Sequence, residues 1–448
     1  MAQAKTAAGQ PVVEFGAAAR EELFLLDPGV TYLNHGSYGA TLRLLFEAQA
    51  FYHRRQEAQP VLFMETEALQ GMIAAQRAVA LEVGADPRDL VVLPNATTAV
   101  NTVLHSLRLQ RGEHLLVTDL TYPAVRNAAA RLAAEAGAGL VEVRILDVLE
   151  DRHRLVQRFE AGLAAGKGRI RLCIIDHIIS ALPVHLPVYE LCALCKRYAV
   201  PALVDGAHAV GAVTLDLASL GATYYTSNLH KWLCSPKGTA FLWVAPEAQA
   251  GLAPLVTSHG YNLGFQGDFF WRGTNDYTAF LTLPAAVAIM RLLDTGGAAR
   301  RYRHNLLAQA VSVLLDAWGT EEVLGLDAPE SCMAAVELPH LGAFTAAPNQ
   351  HDSPDPSSNG TTVFSRSRHE TNGATSHARA KPSAVWCEPT SATAEALHAA
   401  LRWRFQIEVP VICLRGKLYV RLSAQIYNQL DDYRRLGSAV LELQGGVL

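Results

Sequence analysis

Apolar and polar positions along this chain fall into two regimes. Between residues 41 and 85 they recur with helical period, among many Ala, Leu, Arg and Glu. From about Leu90 onward, short apolar runs alternate with helical stretches. Runs at 90–93, 114–118, 139–145, 170–176, 201–205, 223–226 and 239–244 read as strands. Helical stretches at 97–107, 124–136, 188–199 and 215–220 lie between them. This alternation predicts an α/β fold, with a mostly parallel seven-stranded sheet covered on both faces. A long helical connection follows at 279–293 and 300–318, broken by Gly296-Gly297.

A smaller α+β unit comes next. It has a strand at 333–338, a helix at 392–405, two hairpin strands at 411–413 and 417–422, and a closing helix at 429–443. The expected division is an N-terminal arm at 1–40, a large domain at 41–295 and a small domain at 296–448. Between 348 and 382 the composition collapses to Ser, Asn, Gly, Thr, Asp, Arg and His. Such a stretch cannot bury enough apolar surface to offset its ordering entropy, so it reads as a disordered insertion.

Composition narrows the function classes. A chain of 448 residues that is half apolar suits two linked domains with a sizeable core. The formal charge of -4 supplies no general basic field for nucleic acid. No apolar run reaches the ~18 residues of a membrane span. The stretch from Met1 to Pro11 lacks the apolar core of a signal peptide. Seven scattered cysteines, an odd number, argue for reduced thiols inside a cell. The cytoplasm is the expected location. The acid-free start before Glu14 leaves a plastid or mitochondrial transit segment open.

The chemistry concentrates in two segments. Pro201-Ala-Leu-Val-Asp205-Gly-Ala-His208 reads as an apolar strand ending in an acid, with a histidine three residues on. Ser227-Asn228-Leu229-His230-Lys231-Trp232 reads as a loop presenting one lysine beside a histidine. A strand-end carboxylate and a loop amine suit pyridoxal phosphate. That cofactor needs an amine to hold its aldehyde as a Schiff base, and an acid to keep its ring nitrogen protonated. Asp205 could instead cap the segment that follows it. Asn95-Ala96-Thr97-Thr98 lies between a strand and a helix, where unpaired N–H groups form a natural phosphate site or a simple cap. Cys192 and Cys195 have CxxC spacing but lie on an amphipathic stretch with no second pair, which makes a metal site a weak reading.

Asp205-Gly-Ala-His208 followed by Ser227-Asn-Leu-His-Lys-Trp-Leu-Cys-Ser-Pro-Lys-Gly238 resembles the class V aminotransferase family. The match is to its branch of isopenicillin N epimerase-like proteins and plant-type L-cysteine desulfhydrases. The resemblance implies the type I fold of pyridoxal-phosphate enzymes and a homodimer with shared active sites. It implies Lys231 as the Schiff-base lysine and Asp205 as the partner of the ring nitrogen. It places Ala96, Thr97, Thr98, Asn228 and His230 at the phosphate, and Gly273 and Thr274 at a phosphate across the dimer interface. Tyr122 would lie over the ring, with His208 and Ser180 near its phenolic oxygen; Ser180 stands where many relatives carry Asn. Arg421, in Arg-x-Ser, would bind the substrate carboxylate, with His35 and Ser37 as further substrate contacts.

The expected reaction is β-elimination of L-cysteine, or of a related derivative, to sulfide, pyruvate and ammonia. Epimerisation would use the same residues plus a second acid or base, Tyr122 or His35. A lyase on a larger thioether or sulfoxide, such as an ergothioneine precursor, would share every residue named. A cysteine desulfurase would need a sulfur-accepting loop cysteine, for which Cys332 and Cys387 fall in the right region without the flanking pattern.

Overall fold

The computed structural model describes residues 13–340, except 327 and 329, and residues 389–444. The segment at 348–382 and Cys387 lie outside the described residues. Seven strands form the large sheet: β1 Leu90–Leu93, β2 His114–Thr118, β3 Gly139–Val143, β4 Ile170–Asp176, β5 Ala202–Asp205, β6 Tyr224–Asn228 and β7 Ala240–Val244. Their order across the sheet is β1-β7-β6-β5-β4-β2-β3. β7 runs antiparallel to both neighbours, and the other pairings are parallel.

Both faces are covered, as continuous apolar strands require. In β4, Leu172 and Ile174 join the cluster under helix Ala96–Ser106, while Cys173 and Ile175 join the cluster on the opposite face. The opposite face also takes Leu163 from helix Arg152–Ala165, together with Leu191, Cys192 and Cys195. The two CxxC thiols are therefore core side chains packed near Cys173.

A second, four-stranded antiparallel sheet has the order Val411–Leu414, Lys417–Ser423, Met333–Glu337, Val323–Leu324. Helices Ser391–Phe405 and Leu430–Gln444 pack into its cluster. Helix Ala298–Trp318 begins in the core of the large sheet and ends in the second cluster.

Three features depart from the sequence expectation. The helix expected at 279–293 is two helices, Thr278–Leu281 and Leu283–Leu293, divided next to Pro284, which has no N–H to continue the first. Helix Arg152–Ala165, capped by Asp151, was not anticipated. The N-terminal segment is stitched into the fold: Thr31–Tyr32 pairs in parallel with Ile407–Glu408, and Leu33 packs in the second cluster.

Candidate active site

The candidate residues gather at the carboxyl ends of the parallel strands, where open α/β sheets bind ligands. Asp205 ends β5, Asn228 ends β6, and Asn95 follows β1. Lys231 lies in the loop between β6 and β7. Its Nζ is 3.2 Å from His208 Nε2, and both side chains are buried. Burial, reinforced by the Arg421 charge and opposed by Asp205, pushes the Lys231 amine down to about 7. Burial holds the His208 ring well below its usual range, and its Nδ1 has no partner.

Asp205 is anchored by the Ala207 N–H, which donates to its Oδ1 at 3.0 Å. Burial raises this carboxyl, against the Ala207 amide and the Lys231 charge. The next residue must be glycine for steric reasons: a Cβ on Gly206 would sit 2.2 Å from the Tyr225 hydroxyl.

Helix Ala96–Ser106 is capped by Asn95, whose Oδ1 accepts from the Thr98 N–H at 2.8 Å. The Ala96 N–H donates to Asn228 Oδ1 at 2.9 Å, which ties the helix start to the end of β6. Ala96 and Asn228, both expected at a phosphate, are thus bonded to each other through these atoms. Thr97 is exposed at the helix N-terminus, where the dipole favours an anion. His230 is half-buried, with Nδ1 3.0 Å from the Thr239 carbonyl, and burial pushes its pKa to about 4. Tyr122 precedes helix Pro123–Ala136 and is 41% exposed, so it faces open space rather than core.

Arg421 enters from the second sheet, on Lys417–Ser423. Its guanidinium donates to the Ser180 carbonyl at 2.6 Å, Ser37 Oγ at 2.8 Å and Asn34 Oδ1 at 3.2 Å. Ser180 thus meets Arg421 through its backbone. All three acceptors are neutral oxygens, and Arg421 Nε has no partner. Burial pushes this guanidinium down to about 10. A buried cation matched only by neutral oxygens is primed for an incoming carboxylate.

His35 departs from the expected substrate contact. It is fully buried, with Nε2 2.9 Å from the Lys231 carbonyl and Nδ1 3.0 Å from the Tyr427 hydroxyl. Its role is to hold the lysine loop. Gly39 makes the same approach: its φ is +69°, and a Cβ there would lie 2.0 Å from the His230 carbonyl oxygen. Gly273 and Thr274 lie in a loop where Thr274 is exposed and Arg272 donates to the Val92 carbonyl at 2.8 Å.

Asp176 was not assigned a role from the sequence, although its strand ends in an acid as β5 does. The structure sets it beside Asp205. Its Oδ2, His208 Nδ1 and Arg421 Nε are buried polar atoms without partners among the described residues. An amine, a carboxylate, a helix N-terminus and unsatisfied polar atoms at this end of the sheet fit pyridoxal phosphate.

The chain belongs to the aminotransferase class-V family, whose model matches residues 40–339. It is 28% identical to an L-cysteine desulfhydrase of Arabidopsis thaliana, over 93% of this chain and 88% of that protein. It is 32% identical to an isopenicillin N epimerase of Streptomyces clavuligerus, over 70% of this chain and 82% of that one. Both relatives fall in the branch that the motifs resemble. Among solved structures, the cystine C-S lyase C-DES shares the fold, with a TM-score of 0.70 and 19% identity over 93% of this chain and 98% of that one.

Proposed function

We propose that this chain is a pyridoxal-phosphate-dependent carbon–sulfur lyase that converts L-cysteine and water to sulfide, pyruvate and ammonia. One observation carries the reading: the Lys231 amine is buried against His208 and feels the Asp205 charge, with its pKa lowered to about 7 by burial and by an Arg421 that has no carboxylate partner among the described residues. Pyridoxal phosphate supplies an electron-accepting ring that acidifies the α-C–H bond of a bound amino acid.

The chain's own residues do the rest. Arg421 binds the α-carboxylate and fixes the amino acid's orientation. Roughly half of the Lys231 amine is neutral near pH 7, so it can take up the α-proton as a general base. The same amine then carries a proton that the departing sulfur can accept. Asp205 would hold a negative charge toward the ring nitrogen of the bound cofactor, Thr97, Thr98 and His230 would hold its phosphate, and Tyr122 would cover the ring.

Two observations favour elimination over the alternatives. An epimerase needs a second acid or base, and of the two candidates His35 is withdrawn, with both ring nitrogens bonded and its pKa pushed down to about 3, which leaves Tyr122. A desulfurase needs an accessible thiolate, and of its two candidates Cys332 is buried with its thiol pushed up to about 12, while Cys387 lies outside the described residues.

The working unit in this reading is a homodimer. Leu44, Phe46, Phe51, Val61 and Leu62 are large apolar side chains between 49% and 63% exposed, on the helical run that begins at Arg43. Such a patch calls for a partner, and a second copy would bring its Thr274 loop to this site. No helix among the described residues is long and apolar enough to cross a membrane. The cytoplasm remains our reading of location.

The test is anaerobic incubation with L-cysteine, measuring sulfide, pyruvate and alanine together. Sulfide matched by pyruvate supports the proposal. Sulfide matched by alanine would revive a desulfurase. Inversion at the α-carbon without sulfide would replace the lyase with an epimerase.

A further inference from the structure

Asp176 and Asp205 end neighbouring parallel strands as register partners. Register partners project to the same face of a sheet, so the two carboxyls share one side. Their chain neighbours confirm the alternation. His177 turns to the other face, where its Nδ1 is 2.8 Å from the Tyr225 hydroxyl, and Tyr225 is the register partner of Val204. Asp176 is 3% exposed, and its Oδ2 has no hydrogen-bond partner.

Two buried carboxyls side by side cannot both ionise at ordinary pH. The surrounding groups decide which one does. Asp205 has the Ala207 N–H and the Lys231 charge. Asp176 is approached by the Tyr122 backbone N–H from the loop before helix Pro123–Ala136. In the chain beyond β2, the Asp119 carboxylate is engaged elsewhere, accepting the Ile145 and Leu146 amides. Asp205 is the charged group that acts most strongly on Asp176.

We propose that Asp176 and Asp205 share one proton, with Asp176 the neutral acid and Asp205 the carboxylate. Asp176 is then a positioning residue that limits the pair to a single negative charge. A second charge beside Lys231 would hold that amine protonated and remove the base. Burial and the Asp205 charge both push the Asp176 carboxyl well above the usual carboxylate range, in keeping with the geometry. The consequence for Lys231 rests on the lyase reading; the shared proton does not.

Infrared spectroscopy of the purified protein tests the proton directly. At about pH 8 the wild type should show the carbonyl stretch of a protonated carboxylic acid, lost in Asp176→Asn. Absence of that band in the wild type overturns the proposal without any variant, and so does a band that survives in Asp176→Asn.

The pH dependence of stability gives a second readout. A carboxyl raised in the folded state contributes stability that is full below its unfolded pKa and is lost as pH rises. The melting temperature of Asp176→Asn relative to wild type should therefore climb from about pH 4 to about pH 8. A constant difference contradicts the pair. In turnover, the variant-to-wild-type ratio of kcat should rise on the alkaline side; a flat ratio also contradicts it. If the band is present and lost as expected but L-cysteine is not consumed, the pair stands and the lyase reading fails.

Discussion

His35 Nε2 lies 2.9 Å from the backbone carbonyl of Lys231, across 196 residues of chain. The same Nε2 is 3.1 Å from the Gln425 amide nitrogen, and Nδ1 is 3.0 Å from the Tyr427 hydroxyl. This neutral ring joins the N-terminal segment, the lysine loop and the second sheet's chain. His35→Ala would leave the Tyr427 hydroxyl without its His35 partner and the Lys231 carbonyl with the Cys234 N–H alone, at 3.0 Å. We expect a stability loss of about 2–4 kcal/mol by chemical denaturation, with reduced kcat. A change below about 0.5 kcal/mol would mean that the contact does not hold the loop.

The buried histidines set the acid limit. Burial lowers His35 and His177 to about 3 and His230 to about 4, from an ordinary 6.5. A depressed base contributes stability above its unfolded pKa and loses it as pH falls toward its folded one. The melting temperature should therefore drop between about pH 6.5 and about pH 4. His35→Gln, which cannot take a proton, should soften that drop. An unchanged pH dependence in the variant would show that His35 does not contribute.

Arg421 predicts a separation of kinetic constants. Arg421→Lys keeps a charge but loses the forked donor geometry, so KM for L-cysteine should rise about tenfold to a hundredfold. kcat should fall less. Steady-state kinetics check this, and an effect confined to kcat would place Arg421 outside carboxylate binding.

The apolar helical patch predicts assembly. Val61→Lys with Leu62→Glu places charges on the exposed face and should convert dimers to monomers in sedimentation. Cofactor retention should fall with it, because the Thr274 loop would no longer reach the partner's site. A wild-type monomer with full activity would refute the shared site.

Much of this was legible in the chain. Strands such as Ile170–Asp176 are short apolar runs bounded by turns, so their positions follow from hydropathy alone. Lys231, Asp205 and Arg421 were readable because each stands in a compact motif. The pairing of Thr31–Tyr32 with Ile407–Glu408 was not, since two-residue strands carry no period and their partners lie far apart in sequence. His35 was visible as part of a motif, but its burial depends on Tyr427 and Lys231, which only folding brings to it. Asp176 shows the same apolar-run-then-acid pattern as Asp205; what the pattern cannot convey is that sheet order makes the two neighbours.

Lys231 is the proposed anchor of the cofactor, and Lys237 in the same loop is the competing amine. Borohydride reduction of the purified protein, followed by digestion and mass spectrometry, locates the attachment. Lys231 should carry a phosphopyridoxyl group, and Lys231→Ala should carry none. Attachment at Lys237, or no attachment to any lysine, would contradict the assignment.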